Sequence, residues 1–422
     1  MKRILIISPG PFSLIDNDGQ TLEDLFQSWS RDCLAQFYTQ EMDPDFAFCQ
    51  HYYRVSDRGV LNYLVRKEYN PKPIQLYNNK APIQNTIAKR RIQKSPLTLF
   101  LRNFLWRISP WARKGFYKWV DDFRPDLIFF EVGDNIYLMK LVIRLQKRLR
   151  IPLMVHNTEG FFFFKQSYMK KASAINNRLL YPLFHRRLVK NYRLLMSHTS
   201  YVIYLCNKLK VDYDKCFNIP SSVIYKSSNS IASQPANEPQ KIPLVISYLG
   251  SLGLFRPEAL IEVADVLMNL EVDCVLDVYG QCKSATEKEL LEKHPRINYK
   301  GFVSFDVVQN VIKDSDILLH VESEKSGDDV MYGFSTKIPD SLASGKCFFM
   351  YAPSYVAGAS YLSEHVPEAV AFTKDDLEGK LKRIIYDKAL RYDIVERELL
   401  LANSNHNPEK ISKQIKDLIN GI

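Results

Sequence analysis

The 422-residue chain is long enough for two or three ordinary domains, and its 46% hydrophobic and 25% charged content is that of a globular protein. Its net charge of +10 is unevenly spread: residues 1 to 240 hold 36 Lys and Arg against 19 Asp and Glu, residues 241 to 422 hold 21 against 28, which implies two domains with different partners. No apolar run reaches the roughly 18 residues of a membrane span, and the seven cysteines are scattered without CxxC spacing, so neither a disulfide framework nor a zinc site is indicated.

The opening MKRILIIS carries two basic residues and a short apolar run. That run leads into Pro, Asp and Gly with no small-residue cleavage site, so it reads as a first β-strand and places the chain in the cytoplasm. Gly19 follows in NDGQTLEDLF, where a glycine gives a loop backbone freedom. From Arg58 to Lys118 stand 14 Lys and Arg and one acid, Glu68. Within this stretch Leu97, Phe100, Leu101, Phe104, Leu105 and Ile108 make one helical face, and Trp106, Trp111 and Trp119 accompany it. An apolar-aromatic face over 97–120 edged with cations suits an anionic membrane surface. Each basic residue there contributes about 1 kcal/mol. The same stripe could pack on a core and leave its cations in solvent. No DNA- or RNA-binding motif accompanies it, and no nucleic acid partner is expected.

PDLIFFEV, IPLMVHNTE and SYVIYLCN read as further strands, with YLMKLVIRLQKRL as a helix between the first two. His156 stands at the end of the second, and Phe161 to Phe164 behind it are either core or an apolar contact surface. The segment YKSSNSIASQPANEPQK, Tyr225 to Lys241, has too few apolar residues to join a core and reads as a linker. Beyond it LVISYLG, DCVLDVYG, INYKGFV, DILLHVE, KCFFMYA and EAVAFT alternate with helical patterns such as PEALIEVADVLMNL. Strand and helix in alternation predict a doubly wound parallel sheet with any ligand at the carboxyl ends of its strands. NPEKISKQIKDLING closes with an amphipathic helix. The expected organisation is a domain over 1–225, a linker over 226–240, a second domain over 241–404 and a helix over 405–422.

Two stretches of the second half suit an anionic ligand. In YGFSTKIPDSLASGK, Ser335 or Thr336 can cap a helix whose first-turn amides lack intrahelical partners, and Lys337 adds a positive charge. Asp340 lies about one turn further in, where a carboxylate can accept from vicinal hydroxyls. In YLGSLGLFRPEAL a strand passes through a loop containing Gly250 into a helix, with Arg256 at the loop's end able to neutralise a diphosphate.

In order and spacing these stretches resemble the family 4 glycosyltransferases of the GT-B architecture. Gly250 and Leu252 match the family's Gly-Arg-Leu-x-x-x-Lys, with Ser251 for the Arg and Arg256 at the Lys. Gly333 and Phe334 match its Glu-Gly-Phe-Gly, with Tyr332 for the Glu and Ser335 for the last Gly. Asp340 stands at its second Glu and Gly345 at its closing Gly. The resemblance implies two facing Rossmann-like domains with the C-terminal helix returning to the first. It further implies a retaining, metal-independent transferase that moves a sugar from a nucleotide-diphosphate donor to a saccharide or lipid-linked acceptor in bacterial surface polysaccharide or lipopolysaccharide assembly, at the inner face of the cell membrane. No cofactor and no metal are expected, the nucleotide sugar being substrate; the DxD at Asp314-Ser315-Asp316 falls in a helix-to-strand turn.

Carried over, the family's pattern makes Asp340 the ribose ligand, Arg256 and Lys337 diphosphate ligands and His156 an active-site residue near acceptor and sugar. Gly19, Gly250, Gly333, Phe334, Ser335 and Thr336 fall to the loops around the donor. Tyr332 leaves the sugar-contacting carboxylate unassigned; Glu322, Glu324, Asp328 or Asp329 could supply it, or the loop holding them could be simply solvated. Tyr332 and Ser251 equally suit a GT-B protein that binds sugar without transferring it, and a nucleotide-sugar 2-epimerase shares the architecture.

Overall fold

The computed structural model describes the chain except residues 14–16, 67–72, 75–93, 112–114, 170–172, 174, 229 and 237–242. Much of the basic stretch after Arg58 therefore lies outside the described residues. The chain divides into two compact units.

Unit 1 comprises Met1–Leu205, Leu209–Ile224 and Ile411–Ile422. Its strands are β1 (Ile4–Ser8), β2 (Leu34–Tyr38), β3 (His51–Arg54), β4 (Pro73–Ile74), β5 (Leu127–Val132), β6 (Leu153–Asn157), β7 (Tyr201–Tyr204) and β8 (Ser221–Val223), in the order β4-β3-β2-β1-β5-β6-β7-β8. All neighbours are parallel except β3 and β4. Its helices are α1 (Asn17–Phe26), α2 (Asp57–Arg66), α3 (Pro96–Ile108), α4 (Gly115–Phe123), α5 (Ile136–Leu149), α6 (Tyr181–Met196) and α7 (Asn207–Asp214), with a π-turn over Asn176–Leu180. β1, β5 and β6 are buried along their whole length, as parallel strands covered on both faces must be.

β2 and β3 have no such plain signal. Gln36 interrupts the apolar run of β2, yet it is fully buried. Its amide group donates to Ser8 Oγ (2.9 Å) and the Gly10 carbonyl (3.1 Å), and its carbonyl accepts from the Phe12 amide (3.0 Å). A polar side chain thus lies in the core because the turn after β1 needs its hydrogen bonds. Trp106 and Trp111, which accompany the apolar face over 97–120, are 5% and 7% exposed, so these aromatics pack on the core. Trp111 stacks on Phe37 and Trp106 on Tyr137, while Trp119 packs against Tyr53 and Phe116. The aromatic side of α3 and α4 faces the sheet, and Leu97, Leu101, Phe104 and Ile108 remain outside.

Unit 2 comprises Cys206–Lys208 and Tyr225–Lys410. Its strands β9 (Leu244–Leu249), β10 (Cys274–Tyr279), β11 (Ile297–Gly301), β12 (Ile317–Val321), β13 (Cys347–Tyr351) and β14 (Val370–Ala371) are parallel throughout, in the order β11-β10-β9-β12-β13-β14. The helices are α8 (Arg256–Asn269), α9 (Ala285–Glu292), α10 (Phe305–Asp314), α11 (Lys337–Leu342), α12 (Ala357–His365), α13 (Lys374–Tyr386) and α14 (Lys388–Asn405). Every strand expected beyond residue 243 is present. The order reverses between β9 and β12, and the crevice at the carboxyl ends of those two strands is where such sheets bind ligands. Of the Asp314-Ser315-Asp316 triplet, Asp316 accepts from the Val245 amide at 2.8 Å, a tie between strands.

α15 (Pro408–Gly421) follows unit 2 in sequence but buries Ile411, Ile415 and Ile419 with Ile4, Leu22, Phe26 and Leu127 in the core of unit 1. Among the described residues no helix is long and apolar enough to cross a membrane.

Candidate functional site

The site is built at the reversal point of the unit 2 sheet. β9 leads into the loop Gly250–Phe255, whose Leu254 and Phe255 both take left-handed backbone (φ 59° and 56°). Such conformations cost a non-glycine residue roughly 1 kcal/mol or more each. The loop is held by Ser326 Oγ, which donates to the Leu254 carbonyl at 2.5 Å. Its start is pinned from β10: the Gly250 amide donates to the Tyr279 carbonyl (2.9 Å), and a Cβ on Gly280 would lie 2.0 Å from the Gly250 carbonyl oxygen. Only glycine at 280 admits that approach. The Gly250 amide is therefore occupied, and so is that of Gly333, which donates to the Val330 carbonyl at 2.8 Å.

Arg256, the first residue of α8, forms a two-pronged pair with Glu322 behind β12: Nε to Oε2 at 3.0 Å and Nη2 to Oε1 at 2.6 Å. Its Nη1 donates to the Ser251 carbonyl at 3.3 Å. Glu322 is 4% exposed and also meets His320 Nε2 at 3.2 Å. The loop from Val321 is thus no solvated acidic stretch at its first carboxylate. Burial pushes the Glu322 pKa up, but His320 and Arg256 outweigh it and hold it below the usual value. Burial also works against the Arg256 charge, and Glu322 with Tyr248 more than restores it. A fork-to-fork pair of this kind keeps its charges because each group would be far costlier alone.

Lys337 begins α11. Its side chain reaches solvent, while the protein around it, then the charges of Arg256 and Lys226, lower its pKa against the opposing pull of Asp340. Three cations and two carboxylates therefore act on one another here. Asp340 accepts from Ser228 Oγ at 3.0 Å. Lys226 and Ser228 are both buried and come from the stretch expected to be a linker. That stretch is held against unit 2: the Ser228 amide donates to the His406 carbonyl (2.9 Å), the Ala232 amide to Ala343 (2.8 Å) and the Ala236 amide to Gly345 (2.9 Å). His406 Nδ1 lies 2.7 Å from the Lys226 carbonyl, which can only accept, so Nδ1 carries the proton and Nε2 accepts from the Tyr361 hydroxyl at 2.9 Å. Nothing in YKSSNSIASQ distinguishes these two residues from spacer; their role follows from where the chain is laid.

The capping expected at α11 is weaker than the sequence suggests. Thr336 occupies the cap position in helical backbone without a side-chain bond, and Ser335 Oγ accepts from the Lys337 amide at 3.3 Å. The helix has six residues, so its dipole is small. Phe334 and Tyr332 are buried, and Phe334 packs with Tyr225, Tyr361 and His406. The charge that can meet an anion comes from side chains.

Two expected site residues lie in unit 1. Gly19 is inside α1, and a Cβ there would stand 2.7 Å from the backbone of Ser13 and 2.8 Å from the Pro11 carbonyl; it serves close packing of the turn against the helix rather than loop freedom. His156 is the fourth residue of β6, 1% exposed, with its ring 5.9 Å from that of Phe129 and no partner on Nδ1. Burial pushes its pKa down to about 4. His156 is thus a neutral, buried ring one residue from the strand's end.

No protein-family model matches the sequence, and no curated protein matches it at a significant level. Solved structures do match the fold. A sucrose-phosphate synthase from Thermosynechococcus elongatus aligns over 100% of this chain and 99% of its own with a TM-score of 0.63 at 13% identity. HepE from Anabaena, solved in complex with UDP and glucose, aligns over 100% of both chains at 0.61 and 13%. The fold is GT-B. A glycosyltransferase from Rickettsia africae shares the GT-B fold with a TM-score of 0.54 at 12% identity, over 98% of this chain and 97% of its own.

Proposed function

We propose that this protein is a glycosyltransferase whose unit 2 binds a nucleotide-diphosphate sugar. The observation that carries the reading is the grouping of Arg256, Lys226 and Lys337 at the reversal point of the sheet, with Asp340 at its margin. The GT-B fold shared with HepE, which was solved with UDP and glucose, supports it. In this reading the three cations neutralise the diphosphate, and Asp340 accepts from the ribose hydroxyls with Ser228 fixing its carboxylate. Family 4 character, retention of anomeric configuration and a saccharide or lipid-linked acceptor in surface polysaccharide assembly belong to the same proposal, on the match of Gly250, Leu252, Gly333 and Phe334 to the family's pattern, with Arg256 standing at its Lys and Asp340 at its second Glu.

Transfer breaks the bond between the anomeric carbon and the β-phosphate oxygen and forms one to the acceptor oxygen. Negative charge grows on the departing diphosphate, where fixed cations lower the barrier without reorganising. The acceptor proton passes to that phosphate, so no protein base is required. Lys337 gains in this step, because the anion offsets the burial and then the like charges of Arg256 and Lys226 that depress its pKa.

Tyr332 favours a second reading, a sugar-binding module without transfer, since a buried tyrosine stands where the family has its sugar-contacting carboxylate. Titrating the protein with uridine and guanosine diphosphates by calorimetry tests both readings for donor binding, and release of free sugar from the matching nucleotide sugar separates them. Binding with turnover is expected; binding without turnover gives the second reading, and no binding of either nucleotide removes both.

A further inference from the structure

The helices covering one side of unit 1 are unusual in charge. α3, α5, the π-turn Asn176–Leu180 and α6 contain no Asp or Glu. They pack together, with Phe100 of α3 against Phe184 of α6 (ring centroids 6.1 Å) and the Arg187 guanidinium 5.4 Å from the Phe100 ring. Arg102 and Arg148 are paired with Asp57 and Asp121 of neighbouring helices. Beyond those pairs stand Arg107, Lys140, Arg144, Arg187 and Lys190, all exposed and on three different helices. They are close enough that, after burial, the four arginine and lysine neighbours lower the pKa of Lys140. Tertiary packing has gathered like charges instead of dispersing them, which costs stability unless an anionic partner meets them.

Beside that cluster lies apolar surface that folding has left uncovered. On α3, Leu101 and Phe104 are 53% and 57% exposed, flanked by Leu97 and Ile108 at helical spacing. Across the Phe100–Phe184 seam, Leu179 and Leu183 are 63% and 53% exposed, one turn apart. Phosphate-rich nucleic acid has use for the cations but little for two stripes dominated by leucine and isoleucine, in which Phe104 offers a single ring, while Trp106 and Trp111 are in the core. A second copy of this face would bring like charge against like charge.

We infer that this face, formed by α3, the π-turn and α6 with the cations of α5, docks on an anionic lipid bilayer. The stripes enter the headgroup boundary and the five cations meet lipid phosphates. The inference stands apart from the sugar-transfer reading, because docking involves no nucleotide.

The test is co-sedimentation of the full chain with vesicles of phosphatidylcholine alone and of equal parts phosphatidylcholine and phosphatidylglycerol, without nucleotide. Binding to the mixed vesicles at least about tenfold tighter than to the neutral ones is expected, as is weakening by salt. Arg107→Gln with Lys190→Gln should weaken it about thirtyfold, two cations' worth. Phe104→Asp with Leu183→Asp should reduce it at least as much. All four side chains are exposed, so unfolding temperatures should match the parent and show that the variants fold. Failure to sediment, equal binding to both vesicles, or variants that bind like the parent would each overturn the inference. So would a dimer in light scattering that Phe104→Asp dissolves while vesicle binding persists, since the stripe would then belong to a second copy. A negative result with intact calorimetric binding of a nucleoside diphosphate would remove the docking face and leave the transferase reading standing.

Discussion

The two sheets share an order around their reversal points, β3-β2-β1-β5-β6-β7 in unit 1 and β11-β10-β9-β12-β13-β14 in unit 2, yet they furnish those points oppositely. In unit 1 the turn after β1 is tied by the neutral Gln36 side chain, and the nearby strand β6 buries a neutral His156. In unit 2 the same place holds a buried ion pair, two more cations and a second carboxylate. Topology decides where a crevice opens; the side chains at the strand ends decide whether it can hold a charged ligand.

That contrast can be broken most forcefully at Arg256. Arg256→Met leaves Glu322 buried without its cation and should destabilise unit 2 by about 3 to 5 kcal/mol, whereas Arg256→Met with Glu322→Leu should recover most of that stability but not nucleotide binding. Denaturant unfolding and diphosphate titration of both variants check this; equal stability of single and double variants would show that the pair is not what holds the loop.

Acid should treat the two units alike despite their different crevices. His156 in unit 1 and His406 in unit 2 are both buried with pKa values pushed down to about 4 from an ordinary 6.5. The unfolded chain takes up protons below 6.5 that the folded one refuses. The share of stability that these two histidines contribute is therefore full above pH 6.5 and falls as pH drops toward 4, by roughly 3 kcal/mol for each. Calorimetric melts across that range, with His156→Gln and His406→Gln, should show each variant flattening the dependence by one histidine's share.

Asp340→Ala sharpens the charged side of the comparison. It should weaken nucleoside diphosphate binding tenfold to a hundredfold, about 1.5 to 3 kcal/mol, and leave inorganic diphosphate nearly unaffected; equal loss for both would remove Asp340 from the ribose. The smallest effect is a proton count. Because the Lys337 pKa is depressed in the free protein, a diphosphate should draw in a fraction of a proton at alkaline pH. Affinity should fall as pH rises through that depressed value. Calorimetry in buffers of different ionisation heat measures the uptake, and Lys337→Gln should abolish it.

The second sheet was legible because its strands are short apolar runs separated by helical periods, the mark of parallel strands covered on both faces. β2 and β3 were not, since Gln36, His51 and Arg54 break their runs and only the fold shows the Gln36 amide spent on the β1 turn. Arg256 and Asp340 could be found from spacing. Lys226 and Ser228 could not, because they sit in a stretch poor in apolar residues that is fixed by backbone bonds to Ala343, Gly345 and His406 rather than by its own side chains. The tryptophans left two readings open for a different reason. Helical periodicity marks an aromatic face but carries no sign of whether that face meets the core or the outside.

α15 has a consequence for how the chain is made. Ile411, Ile415 and Ile419 complete the core around Ile4, Leu22 and Phe26, so as the chain leaves the ribosome the first unit to emerge must wait for nearly all of the second before its own interior can close. During that interval the second unit, which apart from Cys206–Lys208 is one continuous stretch, can fold while the first carries an open apolar seam. The ribosome's order and the order of folding are therefore reversed, and a released chain ending at residue 410 should yield a protease-resistant second unit attached to a digestible first one.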